Sequence, residues 1–212
     1  MAGKSKTKAK KAAPKKAVKS SKGGKVKAKT SSKSTAAAIG LMARDQFLAS
    51  CLDEIRIIKH IATKILADQF EYRPTPVQRT MTELLRYLTT CATVPGLNMR
   101  DGNWDAAEPV EKASEALDVR EGFAAAMDEQ ARQLKQIVNK FSDADFHALE
   151  RQMPWGAPCK LGEGLVNTVL KPLVAYRMQL FLYVKASGRH DLGPAQCWVG
   201  VDPKPRTEQP KA

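Results

Sequence analysis

Three histidines and four cysteines are the side chains of this 212-residue chain best suited to hold a metal or act as a nucleophile. His60 falls on a long apolar-striped segment, His147 in "SDADFHALE" and His190 in "GRHD". Residues of one helix that share an ion sit four apart, because those positions face the same way. The three histidines have no such spacing and read as surface or capping residues. Cys51, Cys91, Cys159 and Cys197 form no CxxC or CxxH pair, so they read as reduced thiols, mostly core filler. Cys159, in "WGAPCKLGEG", stands out: Lys160 and a following helix N-terminus would lower its pKa, against the plainer reading of an inert loop cysteine. "GEG" at Gly162–Gly164 is too short to cradle a phosphate, and no Ser/His/Asp arrangement is legible. Glu71, Glu83, Glu150 and Glu163 offer carboxylates, but nothing singles one out. These patterns assign no catalytic residue, no metal ligand and no cofactor.

The other chemistry is electrostatic. Residues 1–34 carry Lys4, Lys6, Lys8, Lys10, Lys11, Lys15, Lys16, Lys19, Lys22, Lys25, Lys27, Lys29 and Lys33, with no arginine and no acid. These are 13 of the chain's 35 basic residues, so 22 remain to face 22 acidic ones, and the net charge of +13 belongs entirely to this arm. A run of lysines with no core-forming side chain beyond Val18 and Val26 cannot offset its ordering entropy. A disordered arm is expected, with a reach of roughly 30 Å or more. Each lysine that neutralises a phosphate releases condensed counterion. Lysine is also a point charge that reads no base, and the arm has no aromatic on which a base could stack. The implied behaviour is weak, non-specific, salt-sensitive association with DNA or RNA through these 13 lysines. The composition resembles the tails of linker histones and bacterial histone-like proteins. A solvating tail without a dedicated partner is the bland alternative. An acidic membrane surface is a third, weakened by the lack of any apolar insert or acylation signal.

The residues after the arm must position these groups. Leu41, Phe47, Leu48, Cys51, Leu52, Ile55, Ile58, Ile61, Ala62, Ile65 and Leu66 recur at three- and four-residue steps, which predicts a first helix of about 27 residues. "YRPTP" stops it, since proline forces extended backbone before itself. A second helix puts Thr80, Met81, Leu84, Leu85, Leu88 and Thr89 inward and ends near "TVPGLN". "MRDGNWDAAEP" reads as a loop with a turn at Asp101–Gly102, then a short helix over Glu108–Leu117. The third long helix spans residues 119–141. "MPWGAPCKLGEG" reads as a loop, and the fourth helix runs to Gly188, with Pro172 kinking it or marking its first turn. No strand alternation is visible. The expectation is an all-α four-helix bundle with long connections: residues 1–38 the arm, 39–202 the bundle, 203–212 a flexible tail. No apolar run approaches the roughly 20 residues of a membrane span, so no membrane partner is expected.

"FEYRPTPVQRTMTELLRYLTT" (Phe70–Thr90), which joins two helices through an aromatic-Arg-Pro turn, and "AYRMQLFLYVKASG" (Ala175–Gly188) together resemble the DinB-like (DinB/YfiT) superfamily of four-helix bundles. The likeness spans roughly residues 41–201. It implies a divalent metal held by three histidines, one from the second helix and two, four residues apart, from the last. In this chain those positions fall on Tyr87, Pro172 and Tyr176, with Arg177-Met178-Gln179 at the family's Arg-Gly-Gln step. All three histidines are missing. Proline has no donor atom, and a neutral phenol is a poor ligand at pH 7. The family's metal chemistry therefore does not carry over.

Tyr87, Trp155, Tyr176 and Trp198 could converge at that end of the bundle, with Arg177 and Gln179 as polar anchors, although aromatic residues at helical spacing are more often core. The sequence thus points to a non-enzymatic, DinB-like binding protein with a nucleic-acid-associating arm, a small-molecule ligand and a homodimer being further partners. A DinB-related thiol or small-molecule transferase using a retained pocket is the alternative. The expected location is a bacterial cytoplasm, near the nucleoid.

Overall fold

The computed structural model describes residues Met42–Lys204. The lysine arm and the last eight residues lie outside this range. Four helices close around one core: α1 (Arg44–Ala62), α2 (Met81–Leu88), α5 (Val119–Val138) and α8 (Lys171–Ala186). α1 packs on α5 and α8, and α2 packs on the same two. The predicted stripe is what they bury: Phe47, Cys51, Ile55, Ile58 and Ile61 from α1, Phe123, Met127 and Leu134 from α5. The four-helix, all-α reading is the architecture observed.

The first helix is shorter than its periodicity suggests. It ends at Ala62 rather than Leu66, because polar groups take the carbonyls that would continue it. The Thr63 hydroxyl donates to the His60 carbonyl at 2.7 Å, and the Arg189 guanidinium donates to that of Lys64 at 2.6 Å. Leu66 is left largely exposed.

α2 opens on a capping box: the Thr80 hydroxyl accepts from the Glu83 amide at 3.1 Å, and the Glu83 carboxylate accepts from the Thr80 amide at 2.7 Å, satisfying two orphan donors. The helix predicted to run on toward "TVPGLN" instead breaks after Leu88, and α3 (Thr93–Asp101) starts afresh. The cause lies on α5. In an unbroken helix the Ala92 amide would donate to the Leu88 carbonyl. Here the carboxamide of Gln130, only 1% exposed, is spliced between them. Its oxygen accepts from the Ala92 amide at 2.9 Å and its nitrogen donates to the Leu88 carbonyl at 2.8 Å. A side chain inserted into the ladder bends the helix without orphaning either group. Pro95 sits in the first turn of α3, where no amide hydrogen is needed. Gly102 ends it at φ 74°, a conformation costly to any residue with a Cβ.

α4 (Ala107–Glu115) matches the predicted short helix. Two small elements were not legible. One is α6 (Asp143–Ala148), capped reciprocally by Ser142 and Asp145. The other is a hairpin of β1 (Glu150–Gln152) and β2 (Pro158–Lys160), antiparallel with Arg151 opposite Cys159. It replaces the loop expected over "MPWGAPCK", and Gly156 takes φ 90° at its tip. β2 runs into α7 (Leu161–Leu165), a π-turn over Val166–Leu170, and α8. Pro172 falls in the first turn of α8. The wider turn ahead of it, with the Lys171 amide donating to the Val166 carbonyl, lets the proline ring follow without breaking the rod. A second π-turn, Ala195–Val199, lies against α1 and ends at Gly200. A Cβ at Gly200 would meet the Ile57 Cα at 3.1 Å.

Replacing Gln130 with Leu removes both splice bonds and leaves a buried amide and a buried carbonyl unpaired. An unfolding free energy lower by about 2–4 kcal/mol is expected, measured by urea titration. Gln130→Glu, which keeps the acceptor for Ala92 but not the donor, should also destabilise.

Candidate functional site

Both helix irregularities face one cavity of about 940 Å³, at the upper end of the range for ligand sites. One wall comes from the break after α2, through Thr90, Cys91, Val94 and Pro95; the opposite one comes from the π-turn, through Asn167 and Thr168, and from Pro172. The loop before α2 adds Arg73, Gln78 and Arg79, and α4 adds Glu111 and Glu115. Two tryptophans complete it. Trp104, ahead of α4, is 47% exposed, and Trp155, at the hairpin tip, is 68% exposed.

Tyr87 is central to this wall. Its ring centroid lies 4.6 Å from that of Tyr176, tilted by 57°, and the Arg79 guanidinium sits 4.5 Å over its ring. Burial, with the Tyr176 phenol and the Cys91 thiol alongside, pushes the Tyr87 hydroxyl well above the ordinary phenol range, and Arg79 only partly offsets this. Arg79 makes no hydrogen bond or ion pair among the described residues, and its cation is held on the ring face instead. The neighbouring groups are more committed. Arg73 faces the Glu83 carboxylate at 4.0 Å and donates to the Pro76 carbonyl. The Arg86 guanidinium donates to the Leu117 carbonyl at 3.1 Å. The backbone amide of Thr80 holds the Glu83 carboxylate below the usual range, so that group is occupied as a cap.

The structure divides the six candidate pocket residues. Tyr87 and Trp155 line the cavity, and Tyr176 stacks behind Tyr87. Arg177 turns away into the bundle, where it is 2% exposed. Its guanidinium donates to the Glu54 carboxylate and to the Cys197 carbonyl, each at 2.5 Å. Trp198 covers that guanidinium at 4.7 Å, outside the cavity. Gln179 donates to the Tyr183 hydroxyl at 3.0 Å. Arg79 and Trp104 are cavity residues that sequence reasoning missed. The signal available for them was only an arginine before a helix cap and an aromatic residue within a turn.

The positions that the family resemblance lays on metal ligands do come together, since Tyr87 and Pro172 line one cavity and Tyr176 touches Tyr87. A proline and two phenols do not fit a divalent ion. Among the described residues no three His, Cys, Asp or Glu side chains gather closely enough to hold one. The histidines lie apart: His60 faces Asp202 at 3.6 Å, His147 lines a second cavity of about 530 Å³ beside Phe47 and Lys160, and His190 is exposed.

Cys159 is not activated, in line with the plainer reading of an inert cysteine. It is buried, and burial, then Glu163, push its thiol up while Arg151 pulls weakly the other way. Lys160 points away, donating to the Glu150 carboxylate at 2.9 Å, and the five-residue helix after it contributes too little dipole to compensate. Cys51 and Cys91 are pushed from 9.0 up to about 12, chiefly by burial. The unfolded chain releases these protons near pH 9 while the folded one keeps them to about pH 12. Their contribution is therefore complete below pH 9 and lost as pH rises from 9 toward 12. Urea midpoints should fall over that interval. Iodoacetamide should label the native thiols at least tenfold more slowly than the urea-unfolded ones, and equal rates would contradict the assignment.

No family model matches the chain, and no curated protein matches it. Among solved structures, the crystal structure of a DinB-like protein, YjoA of Bacillus subtilis, superposes with a TM-score of 0.54 at 15% sequence identity. The match covers 70% of this chain and 96% of that one. The bundle therefore has a DinB-like fold.

Proposed function

We propose that the protein is a non-enzymatic binding module: a DinB-like bundle that offers a ligand cavity and is held near nucleic acid by its lysine arm. The observation that carries the reading is the partition of charge. All 13 net positive charges sit in residues 1–34, ahead of a body whose basic and acidic residues balance. A polycation without aromatic or apolar anchors suits a polyanionic backbone and little else. In the body, the positions of the family's metal ligands hold two phenols in tilted contact and a proline beside a cavity. The transferase alternative needs a metal, an activated thiol or a base in that cavity. Its thiol, Cys91, is held at about 12, and its carboxylate Glu83 is spent on a helix cap, which leaves Glu111 and Glu115 of α4 as the carboxylates such a reaction would have to use.

The test is retention of the full-length protein on duplex DNA across a salt series, against a variant with all 13 arm lysines changed to Gln. The intact protein should lose affinity with a slope of about 0.9 per phosphate contacted. The variant should elute at the lowest salt. Equal retention of both would discard the tether.

A further inference from the structure

We infer that the cavity between α2, α4 and the hairpin takes a nucleotide unit, a planar base with its phosphate, either free or as an unpaired residue of a strand. This deepens the proposed function and rests on its reading of the body as a binding module. Three observations converge on this chemistry. Trp104 and Trp155 both line the cavity and keep 47% and 68% of their surface in solvent. Each thus presents an open aromatic face at the cavity on which a planar ring can stack. Base–aromatic stacking is the contact that the lysine arm itself does not offer.

The second observation is Arg79. Its guanidinium is already seated over the Tyr87 ring, where it fills the position a cationic ligand would take. Its N–H donors make no hydrogen bond among the described residues, so they remain available to a phosphate. Glu111 and Glu115 also line the cavity. They oppose an anion on the α4 side and leave the Arg73–Arg79 loop as the phosphate end. The third observation is the polar content of the walls. Asn167 is spent on the Glu163 carbonyl and on Lys171. The Gln78 carboxamide nitrogen, however, makes no hydrogen bond among the described residues, and the Thr90 hydroxyl, donating to the Tyr87 carbonyl, can still accept, suiting the edge of a base. A volume of about 940 Å³ holds a base, sugar and phosphate.

The experiment follows tryptophan fluorescence of the full-length protein on titration with thymidine 5′-monophosphate, thymidine, a short oligothymidylate and the matching duplex. Salt is set high enough to screen the arm. The nucleotide and the oligothymidylate should quench saturably and the duplex should not. Trp104→Ala and Trp155→Ala, both at exposed positions that leave the core intact, should each weaken binding about tenfold. Trp198→Ala, outside the cavity, should leave it unchanged. Arg79→Gln should weaken the nucleotide more than the nucleoside. Tighter binding of the oligothymidylate than of the monophosphate assigns the site to unpaired strand residues; equal binding assigns it to free nucleotide. No quenching by either, no effect of the two tryptophan variants, or preference for a cationic aromatic amine overturns the inference. These arms are separate from duplex retention at low salt. A working tether with an indifferent cavity sinks only the inference, and a nucleotide-binding cavity with no duplex retention sinks only the tether.

Discussion

A single buried carboxamide sets the geometry on which the rest depends. Gln130 replaces one rung of a helix with two bonds of its own, to the Ala92 amide and the Leu88 carbonyl. Without that insertion the Leu88 carbonyl and the Ala92 amide would lose their partners, and Pro95 would still bar a straight helix through residues 91–95. With it, α3 departs from the line of α2, and Thr90, Cys91 and Pro95 become a wall rather than a continuous helical face. The facing wall is also irregular, a π-turn that accommodates Pro172. The cavity is thus the gap between two helices that each leave ideal geometry for a stated reason, one a side chain in the ladder and the other a missing amide hydrogen.

Ion pairs in the body lie mostly at its surface. Some join residues within a turn, such as Asp53 with Arg56 and Glu108 with Lys112, and others bridge distant segments, such as Lys59 with Asp128 and Lys64 with Asp202. Exposed contacts of either kind contribute about 0–1 kcal/mol each. The exception is Arg177. Removed from water, it is compensated by Glu54 and the Cys197 carbonyl, and it ties α8 to α1 and to the turn at residues 195–199. Arg56 reinforces the tie by donating to the Val199 and Gly200 carbonyls. A charge buried this well is committed to structure. The arginines at the cavity differ in kind, since Arg79 rests on an aromatic face with its donors unspent.

Much of the fold was legible in the sequence, because apolar spacing reports which face of a helix is buried. The stripes of α1, α2 and α5 and the stop at Gly188 needed nothing more than periodicity and turn residues. What escaped had distant or compact causes. The break after Leu88 is made by a residue 42 positions away, and a three-residue strand is too short to alternate visibly. The cavity was half legible. Tyr87 and Trp155 belong to it, but one step along α8 turns the backbone by about 100°. Tyr176 therefore faces Tyr87 while Arg177 faces the core. Cys159 shows why neighbours in sequence are a weak guide to a thiol: Lys160 turns to Glu150, and the packing around Cys159 keeps it inert. No family model matches the chain, yet its fold matches a DinB-like bundle at 15% identity, as expected when packing pattern outlasts residue identity.

The central claim is that the cavity of the body takes a nucleotide unit. Hydrogen exchange of the full-length protein, with and without a single-stranded oligonucleotide, tests it most directly. The account predicts added protection in the loop over residues 72–79 and at the hairpin tip over residues 153–157, where Arg79 and Trp155 meet the strand. Protection confined to the arm, with those two segments unchanged at saturation, would contradict it.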